Sequence, residues 1–376
     1  MSIHDSYIRY IRGAGPGGDA AGIDPLWNLT IPLGWVGAAY ARFRNLSYDR
    51  GWSRVRSPAL PVIGVGNLTL GGTSKTPCVA WIAEELSDAL GGPESVGLLT
   101  RGYTGSGDPR LFRAGQATRG EVGDEALLLS NQHPQSWVAV GRDRLHGAEQ
   151  LAGCGAQIAV ADDVFQHRRL GRVFDLVLID AEVPFGNRRV IPAGWLREPI
   201  DGLERATAVL LTRTTRVGSE VLDALKREVG AFVPRERIFS GDLAVDGWSR
   251  LNSDPGYPTS AAEPPGLPSR GFCFSAIARP AAFFDTLEAL GYEVVGKRKF
   301  RDHHVLTMAE VRALDHEAVH SGADWISCTE KDLFNLPPTW QPQLPLYVPT
   351  VRLSVEEGPA LVNLICSRSA IVRKER

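Results

Sequence analysis

The stretch GVGNLTLGGTSKTP, residues 64–77, decides the fold because it matches most of a phosphate-binding loop. The strict pattern of such loops, G-x-x-x-x-G-K-[ST], places one glycine immediately before the lysine and another five residues further back. This chain has Ser74 and Thr69 at those two positions, so the strict pattern fails. The flanking sequence must therefore decide whether the loop is present.

The flanking segments have the order that such a loop requires, which is strand, glycine-rich loop and helix. The preceding PALPVIGVGN is apolar and rich in β-branched residues, and the following PCVAWIAEELSDAL has helical periodicity with Pro77 in its first turn. We expect backbone N–H groups around Gly71, Gly72 and Thr73 to point at phosphate oxygens, with the positive end of the helix dipole behind them.

Two side chains at the start of the predicted helix complete the loop. Lys75 is expected to reach the outer phosphates and Thr76 to hold Mg²⁺. The alternative is an ordinary strand-to-helix turn with an exposed lysine.

Apolar runs alternate with helical patterns from Pro61 onward, which predicts an α/β fold with a mostly parallel sheet flanked by helices. The predicted strands are SVGLLTRGY, SWVAVGRDR, QIAVADD, FDLVLID and TAVLLTR. Ligands in such sheets bind at the carboxyl ends of strands. The accumulation of ionisable residues at these ends favours a site there, and they are Arg101, Arg142, Asp162, Asp163 and Asp180.

The composition divides the chain into five segments. We predict a flexible N-terminal extension (1–24), a helical segment (25–57), a phosphate-loop domain (58–245), a linker or long loop (246–270) and a smaller α/β domain (271–376). The linker is rich in Pro, Gly, Ser and Asp and cannot build a core. No internal repeat is present.

The helical segment 25–57 suits a membrane interface. Its apolar part is interrupted and marginal in length for a bilayer span, and we expect no signal peptide before it. Aromatic residues followed by arginines favour a helix lying at a lipid surface. A helix packed on the protein's own core is the alternative. The residues concerned are Trp27, Trp35, Tyr40, Phe43, Arg42, Arg44, Arg50, Arg54 and Arg56.

Charge and cysteine usage argue against three classes of protein. The chain has 41 basic and 43 acidic residues, so no global field points to nucleic acid. Its five cysteines are scattered without a C-x-x-C pair, which is typical of buried thiols in a reducing compartment. A zinc ribbon and a disulfide framework are therefore not expected.

Paired carboxylates occur at two places where a metal or an acceptor could be bound. Asp162 and Asp163 end an apolar strand, as in a Walker B segment, although aspartates there can also cap a helix. Asp124 and Glu125 begin an apolar helix, where capping is the competing interpretation.

Three stretches with histidines bear on a possible site. Gln166 and His167 are hydrogen-bonding side chains on the turn after the paired aspartates. His303 and His304 follow Asp302 at a strand-to-helix turn, where they could enter a cleft between domains or form a polar turn.

The stretch HEAVH, from His316 to His320, satisfies the H-E-x-x-H signature of zinc proteases. Both histidines, however, continue the solvated face of their helix, and no third ligand follows. Zinc chemistry is not expected, since short motifs match by accident.

Taken together, these segments resemble the tetraacyldisaccharide 4'-kinase family, the lipid A kinases of Gram-negative bacteria. The resemblance runs from about Pro61 to Leu336, and its most specific parts are DDVFQH and IPAGWLREP. The other matching segments are VGNLTLGGTSKTP, RGYTG, GDEA, GRDR, FSAIARPAAFFDTLEALG, FRDHH and TEKDLFNL.

The resemblance implies a kinase that moves the γ-phosphoryl of ATP, with Mg²⁺, onto the 4'-hydroxyl of a tetraacyldisaccharide 1-phosphate to give lipid IVA. It also implies a peripheral or monotopic protein at the cytoplasmic face of the inner membrane, with its N-terminal helix at the lipid surface. We expect no nucleic-acid partner and a monomeric chain.

The resemblance also assigns roles by position. Asp124 becomes the base that accepts the sugar hydroxyl's proton, aided by His303 or His304, and Lys75 assists catalysis. Arg142 and Arg144 join Arg101 as candidate phosphate clamps. The implied metal ligands are Thr76, Asp162 and Asp163. The implied nucleotide-site residues are Gly71, Gly72, Thr73, Ser74, Lys75, Thr76, Arg101, Glu125, Gln166 and His167.

Two departures from the family pattern bear on activity. Ser74 fills the position of the last glycine, and Val164 stands where glycine is common. If the backbone at Ser74 requires a positive φ, its Cβ costs on the order of 1 kcal/mol; with a negative φ the serine is harmless.

Two rival functions remain. One is a phosphate-loop kinase of a soluble substrate, and the other is a catalytically inactive membrane-associated relative.

Overall fold

The computed structural model describes residues 25–102, 109–251, 260–261, 266–267 and 269–370. The chain forms two compact units. The larger unit contains the described residues up to 243 together with 353–370, and the smaller unit spans 244–352.

Strands and helices alternate along most of the chain. The strands are β1 (Val62–Asn67), β2 (Val96–Thr100), β3 (Arg110–Phe112), β4 (Val138–Val140), β5 (Ile158–Ala161), β6 (Phe174–Asp180), β7 (Ala208–Thr212), β8 (Ile238–Arg250), β9 (Ser260–Ala261), β10 (Arg270–Ser275), β11 (Glu293–Lys299), β12 (Trp325–Ser327) and β13 (Leu346–Val355). The α-helices are α1 (Ile31–Asp49), α2 (Lys75–Leu90), α3 (Arg119–Val122), α4 (Asp124–Gln132), α5 (Arg144–Gly153), α6 (Ser219–Val229), α7 (Pro280–Ala289), α8 (Met308–His320), α9 (Glu330–Leu333) and α10 (Gly358–Ser369).

The sheet of the larger unit has the strand order β8-β7-β6-β1-β5-β2-β4-β3. All neighbouring pairs in this order are parallel except β3 with β4. Every residue of β1 is buried, as expected for a central parallel strand covered on both faces. The predicted mostly parallel α/β fold is confirmed, and the five predicted strands correspond to β2, β4, β5, β6 and β7.

The strand order identifies where a ligand can bind. Strand β1 lies between β5 and β6, so the chain proceeds to one side of β1 for β2 to β5 and to the other side for β6 to β8. Such a reversal leaves a crevice outside the carboxyl end of the central strand. The loop that follows β1, residues 68–74, occupies this position.

Helix α1 packs on the rest of the larger unit, at the segment 190–193, through its small residues. A Cβ at Gly34 would lie 2.5 Å from the Cβ of Ala193, and one at Gly37 would lie 2.7 Å from the carbonyl oxygen of Ile191. The large apolar side chains of the same helix remain exposed, with Trp35 at 70% and Phe43 at 63%. Among the described helices, none has the length and apolar character that a bilayer span requires.

The smaller unit has its own parallel strands in the order β11-β10-β12-β13. Its core is built around Phe274, Ile326 and Trp340, all buried, with α8 contributing Val311 and Leu314. The predicted helices and strands between residues 271 and 328 are present as β10, α7, β11, α8 and β12.

The observed units differ from the predicted segments at two boundaries. Residues 353–370, which we assigned to the smaller domain, belong to the larger unit because α10 packs on α2, where Gly358 lies against Trp81. The predicted linker is also partly strand, since β8 continues to Arg250 and pairs there with β9. Composition alone could not show these long-range pairings.

Candidate active site

The loop between β1 and α2 is held from outside by the segment 195–197. The backbone N–H of Leu70 donates to the carbonyl of Trp195 at 2.8 Å, and the N–H of Arg197 donates to the carbonyl of Leu68 at 2.7 Å. A Cβ at Gly71, whose φ is +91°, would lie 2.8 Å from the Trp195 ring. Only glycine therefore fits at Gly71, and the loop has one defined course.

Ser74 has a φ of 64° and a ψ of 30°, in the left-handed region. This is the unfavourable alternative of the two that the sequence left open, because a Cβ in this region costs on the order of 1 kcal/mol relative to glycine. The Ser74 hydroxyl does not compensate, since its Oγ is buried without a hydrogen-bond partner.

The first turn of α2 is an uncompensated positive helix end. It has no side-chain cap at Ser74 and no acidic residue. Helix N-termini leave backbone N–H groups without partners, and the helix dipole favours an anion there. Lys75 and Thr76 are the first two residues of this helix, so the predicted strand, loop and helix arrangement is present.

The Asp163 carboxylate lies beside two cations at the carboxyl end of β5. Nη1 of Arg197 is 2.7 and 2.9 Å from its two oxygens, and Nζ of Lys75 is 3.7 Å from Oδ1. Burial opposes ionisation, but the charges of Lys75 and Arg197 outweigh it and lower the pKa of Asp163. Asp163 is therefore a carboxylate at neutral pH.

Its neighbour Asp162 is only 4% exposed, and its Oδ1 has no hydrogen-bond partner. Burial raises the pKa of Asp162 to about 7, and the charge of Glu125 acts in the same direction. Lys75 and Arg144 oppose the rise. The structure therefore brings Glu125, Lys75, Asp162 and Asp163 close together, and their roles in nucleotide and metal binding stay predictions.

Arg144 is the buried cation of this cluster. Only 3% of it is exposed, and burial lowers its pKa to about 10 against the charges of Asp162 and Asp163. Its guanidinium donates to the carbonyl of Gly141 but its Nε has no partner. Arg101 is near enough for its charge to lower the pKa of Arg144 further, whereas Arg142 is exposed.

Asp124 begins α4 and is 3% exposed. Its Oδ1 accepts a hydrogen bond from the N–H of Glu125 at 3.0 Å. The N-cap of α4 is Gly123, with no side-chain cap hydrogen bond, so the capping interpretation is not supported, and the role of Asp124 as a base stays a prediction.

Gln166 joins the end of β1 to Glu198, which in turn contacts α1. Its Nε2 donates to the carbonyl of Asn67 at 2.8 Å and to Oε1 of Glu198 at 3.0 Å. Glu198 is fully buried and also accepts from Asn45 of α1 and from Arg205. The described contacts of Gln166 are thus those of a positioning residue, and a direct nucleotide contact stays a prediction.

His167 is part-buried and uncharged at neutral pH. Burial and the nearby charges of Arg144 and Arg172 lower its pKa to about 4. A neutral imidazole can accept a proton or a hydrogen bond, which agrees with a supporting role beside the metal or acceptor.

The smaller unit distinguishes the two histidines of the DHH turn. Nε2 of His304 is 2.9 Å from Oε1 of Glu310, and its ring stacks on Phe300 at 5.4 Å. Nε2 of His303 is instead 3.4 Å from Nζ of Lys331 and 3.9 Å from Asp302. His304 is committed to local packing, so His303 is the better candidate for proton chemistry.

The HEAVH stretch lies in α8 and forms no metal site. His316 and His320 stack on each other at 3.9 Å, and Nδ1 of His320 is 2.9 Å from the carbonyl oxygen of His316. Throughout the part of the chain that the structure describes, no three His, Cys, Asp or Glu side chains are arranged to hold a metal ion.

Several residues that shape the site carried no role in the sequence reasoning. Trp195, Arg197 and Glu198 had a signal in IPAGWLREP and Arg213 at the end of the predicted strand TAVLLTR, whereas Asn45 and Arg205 had none. In the smaller unit, Lys331 beside His303 lies in the matching segment TEKDLFNL.

Comparison with known proteins agrees with this geometry. A family model described as tetraacyldisaccharide-1-P 4'-kinase matches residues 26–370. The tetraacyldisaccharide 4'-kinase of Rhodospirillum centenum is 40% identical over 81% of this chain and 80% of its own length. That of Anaeromyxobacter dehalogenans (strain 2CP-C) is 37% identical over 86% of this chain and 84% of its own.

A solved structure with the same fold is LpxK from Aquifex aeolicus, described as an "apo" form in complex with ATP. The TM-score is 0.69 at 25% identity, and the match covers 91% of this chain and 99% of that one. The family model and the relatives each cover most of the chain. The chain belongs to the tetraacyldisaccharide-1-P 4'-kinase family.

Proposed function

We propose that this protein transfers the γ-phosphoryl group of ATP to the 4'-hydroxyl of a tetraacyldisaccharide 1-phosphate, giving lipid IVA. The observation that carries the proposal is a group of buried polar atoms without partners around the phosphate loop. They are Nδ2 and Oδ1 of Asn67, Oγ1 of Thr73, Oγ of Ser74, Oδ1 of Asp162 and Nε of Arg144. Each such atom is costly unless a ligand or water satisfies it.

The nucleotide side is built from the loop and the start of α2. Backbone N–H groups at Gly71, Gly72 and Thr73 and the uncompensated helix end bind the β- and γ-phosphates. Lys75 neutralises the outer phosphates when it exchanges its 3.7 Å contact with Asp163 for them. Arg101, Glu125, Gln166 and His167 complete this side.

The residues present fit a Mg²⁺ ion. Thr76 supplies a hydroxyl, Asp163 a carboxylate that is ionised at neutral pH, and Asp162 an oxygen without a partner. Mg²⁺ keeps several waters and phosphate oxygens as ligands, so it needs only one or two protein carboxylates. When bound, Mg²⁺ neutralises negative charge on the transferring phosphoryl group.

The acceptor side requires a group that removes the proton of the 4'-hydroxyl. Asp124 accepts this proton as the sugar oxygen forms its bond to the γ-phosphorus and the bond to ADP breaks. An imidazole that receives the proton in turn assists this step, and we assign this role to His303 rather than His304. Arg101, Arg142 and Arg144 hold phosphate groups.

The exposed apolar face of α1 supports a peripheral place at a lipid surface. Leu33, Trp35, Val36, Tyr40 and Phe43 are each more than half exposed on this helix. Such a face with arginines beside it lies in the headgroup boundary of a membrane. We assign the protein, as a monomer, to the cytoplasmic face of the inner membrane, where ATP and the lipid substrate meet.

The test is phosphoryl transfer from MgATP to tetraacyldisaccharide 1-phosphate in detergent micelles, with the product's second phosphate located by ³¹P NMR. We expect 4'-phosphate from the native chain and a loss of at least a thousandfold in Asp124→Ala. The matched control is Asp223→Ala, an exposed aspartate on α6, which should retain full activity.

The rival functions give different results in the same assay. A kinase of a soluble substrate would ignore the lipid and be insensitive to Trp35→Gln combined with Phe43→Gln, changes that should slow transfer at a micelle surface. An inactive relative would turn over neither substrate. Either result would overturn the proposal.

A further inference from the structure

Arg213 is placed where it can act on the phosphate loop. It follows β7 directly and has a φ of 58°, so like Ser74 and Asp163 it is a residue with a Cβ in the left-handed region beside the site. Its guanidinium forms an ion pair with Asp180 at the end of β6, and both side chains are largely buried, at 12% and 8% exposure. Asp180 is itself held by a hydrogen bond from the N–H of Glu182 at 3.0 Å.

The guanidinium of Arg213 faces a backbone carbonyl of the loop. Its Nη1 and Nη2 lie 3.5 and 3.4 Å from the carbonyl oxygen of Gly72. Gly72 comes two residues before Ser74. The loop is therefore contacted on one side by Trp195 at Gly71 and on another by Arg213 at Gly72.

Ser74 cannot hold its own backbone conformation. Its hydroxyl has no partner, and it makes no side-chain cap to α2. A residue with a Cβ persists in the left-handed region only when its surroundings determine it. Among the side chains that the structure describes around the loop, Arg213 is a cation anchored by a buried carboxylate, which makes it suited to this task.

We propose that Arg213, anchored by Asp180, is a positioning residue that holds the phosphate loop in the conformation that Ser74 opposes. The inference rests on the proposed function in that the loop binds the phosphates of ATP. Without Arg213, the loop with serine relaxes, and nucleotide binding must restore the left-handed backbone. With glycine at that position, restoring it costs little.

The test is a double-mutant cycle in MgATP affinity, measured by calorimetric titration without lipid substrate. We expect Arg213→Ala to weaken MgATP binding about tenfold in the native chain. In the Ser74→Gly background the same change should weaken it less than about threefold, because the two sites are coupled. Ser74→Gly alone should change the affinity less than about threefold.

Three further variants make the cycle specific. Asp180→Asn alone should also weaken MgATP binding. Combined with Arg213→Ala it should weaken binding little further, since both changes break the same ion pair. Arg213→Lys keeps the charge but lacks the planar guanidinium, so its MgATP affinity should lie between those of the native chain and Arg213→Ala. This variant replaces Arg213→Ala in the cycle if the alanine variant does not fold. Arg216→Ala, an exposed arginine three residues further on, is the matched control and should bind MgATP normally.

Two results would overturn the inference. Equal losses from Arg213→Ala in the Ser74 and Ser74→Gly backgrounds would mean that Arg213 contacts the nucleotide directly. A lower melting temperature with unchanged MgATP affinity would mean a merely structural ion pair. A native chain that binds MgATP and phosphorylates the lipid while showing either result would refute only this inference, whereas a native chain that binds no MgATP would refute the proposed function as well.

Discussion

The phosphate loop and helix α8 differ in how a sequence pattern relates to a site. The loop fails the strict pattern at Ser74, yet it lies at the crevice outside β1, next to buried polar atoms without partners and an uncompensated helix end. Helix α8 satisfies H-E-x-x-H, yet its two histidines stack on each other. Its N-terminus has a complete capping box, formed by Thr307 and Glu310.

The difference shows what makes a motif functional. In α8 the polar groups find partners within one helix, so nothing remains for a metal to satisfy. At the loop, groups from several strand ends converge and have no hydrogen-bond partner within the protein, which costs stability unless a ligand or water satisfies them. The two regions differ in whether buried polar atoms lack hydrogen-bond partners within the protein, and not in how well they match a sequence pattern.

The largest expected effect concerns Asp162, the buried carboxyl of the loop region. Its pKa is raised from 3.8 to about 7, so it is neutral in both folded and unfolded chains below about pH 4. Between pH 4 and pH 7, Asp162 ionises in the unfolded chain but stays protonated in the folded chain. The free energy of unfolding therefore falls as the pH rises through this range. In the absence of nucleotide and Mg²⁺, Asp162→Asn should therefore stabilise the fold at pH 8 by up to about 4 kcal/mol and hardly at all at pH 4.

Urea unfolding of both chains across this pH range measures the difference. Asp223→Asn, at an exposed position, is the control and should show no such trend. If the difference in the free energy of unfolding between Asp162→Asn and the native chain does not grow with pH, burial does not raise the pKa of Asp162.

The next effect extends the comparison to the DHH turn. His303→Ala should lower the transfer rate about a hundredfold, the range expected for loss of a proton-transfer group. His304→Ala should lower the melting temperature instead, because it removes the contact with Glu310 and the stacking on Phe300. Steady-state rates together with thermal unfolding separate the two, and a reversed pattern would contradict the assignment.

A smaller effect is expected from relieving the strain at Ser74. Ser74→Gly should raise the free energy of unfolding by about 1 kcal/mol, since glycine adopts a φ of 64° without penalty. The gain should appear mainly in stability, because the loop already holds this conformation before ATP binds. A destabilised variant would mean that the serine side chain contributes a contact.

No effect is expected in α8. His316→Ala and His320→Ala should leave the transfer rate unchanged and alter stability by no more than about 0.5 kcal/mol, as at other exposed positions. Zinc analysis of the purified native chain should find no stoichiometric metal. Bound zinc that disappears in either variant would break the contrast between the two regions.

The sequence predicted the fold well because its signals are local. The alternation of apolar runs with helical patterns located β2, β4, β5, β6 and β7, and the loop's flanks identified the strand, loop and helix around Lys75. The rule that parallel strands end at one edge of a sheet placed Asp162 and Asp163 near the loop, whereas Glu125, at the start of a helix, was assigned to the site only by the family resemblance.

The rest depends on partners that are distant in the chain. The return of α10 to the larger unit, the contact of Trp195 with Gly71 and the buried position of Glu198 each join segments far apart in sequence. The backbone angle at Ser74 was likewise undecidable, because serine adopts either sign of φ when its neighbours require it. The contacts that hold the loop, from Trp195 and Arg213, come from distant parts of the chain and are not visible in the local sequence.

MgATP binding by the native chain and by Lys75→Ala, measured by calorimetric titration without lipid substrate, tests the phosphate loop directly. We predict saturable binding to the native chain with one site, weakened at least tenfold in Lys75→Ala while the melting temperature of the free protein stays close to native. No binding by the native chain, or equal binding by both, would show that the loop with Ser74 at a φ of 64° does not hold a nucleotide.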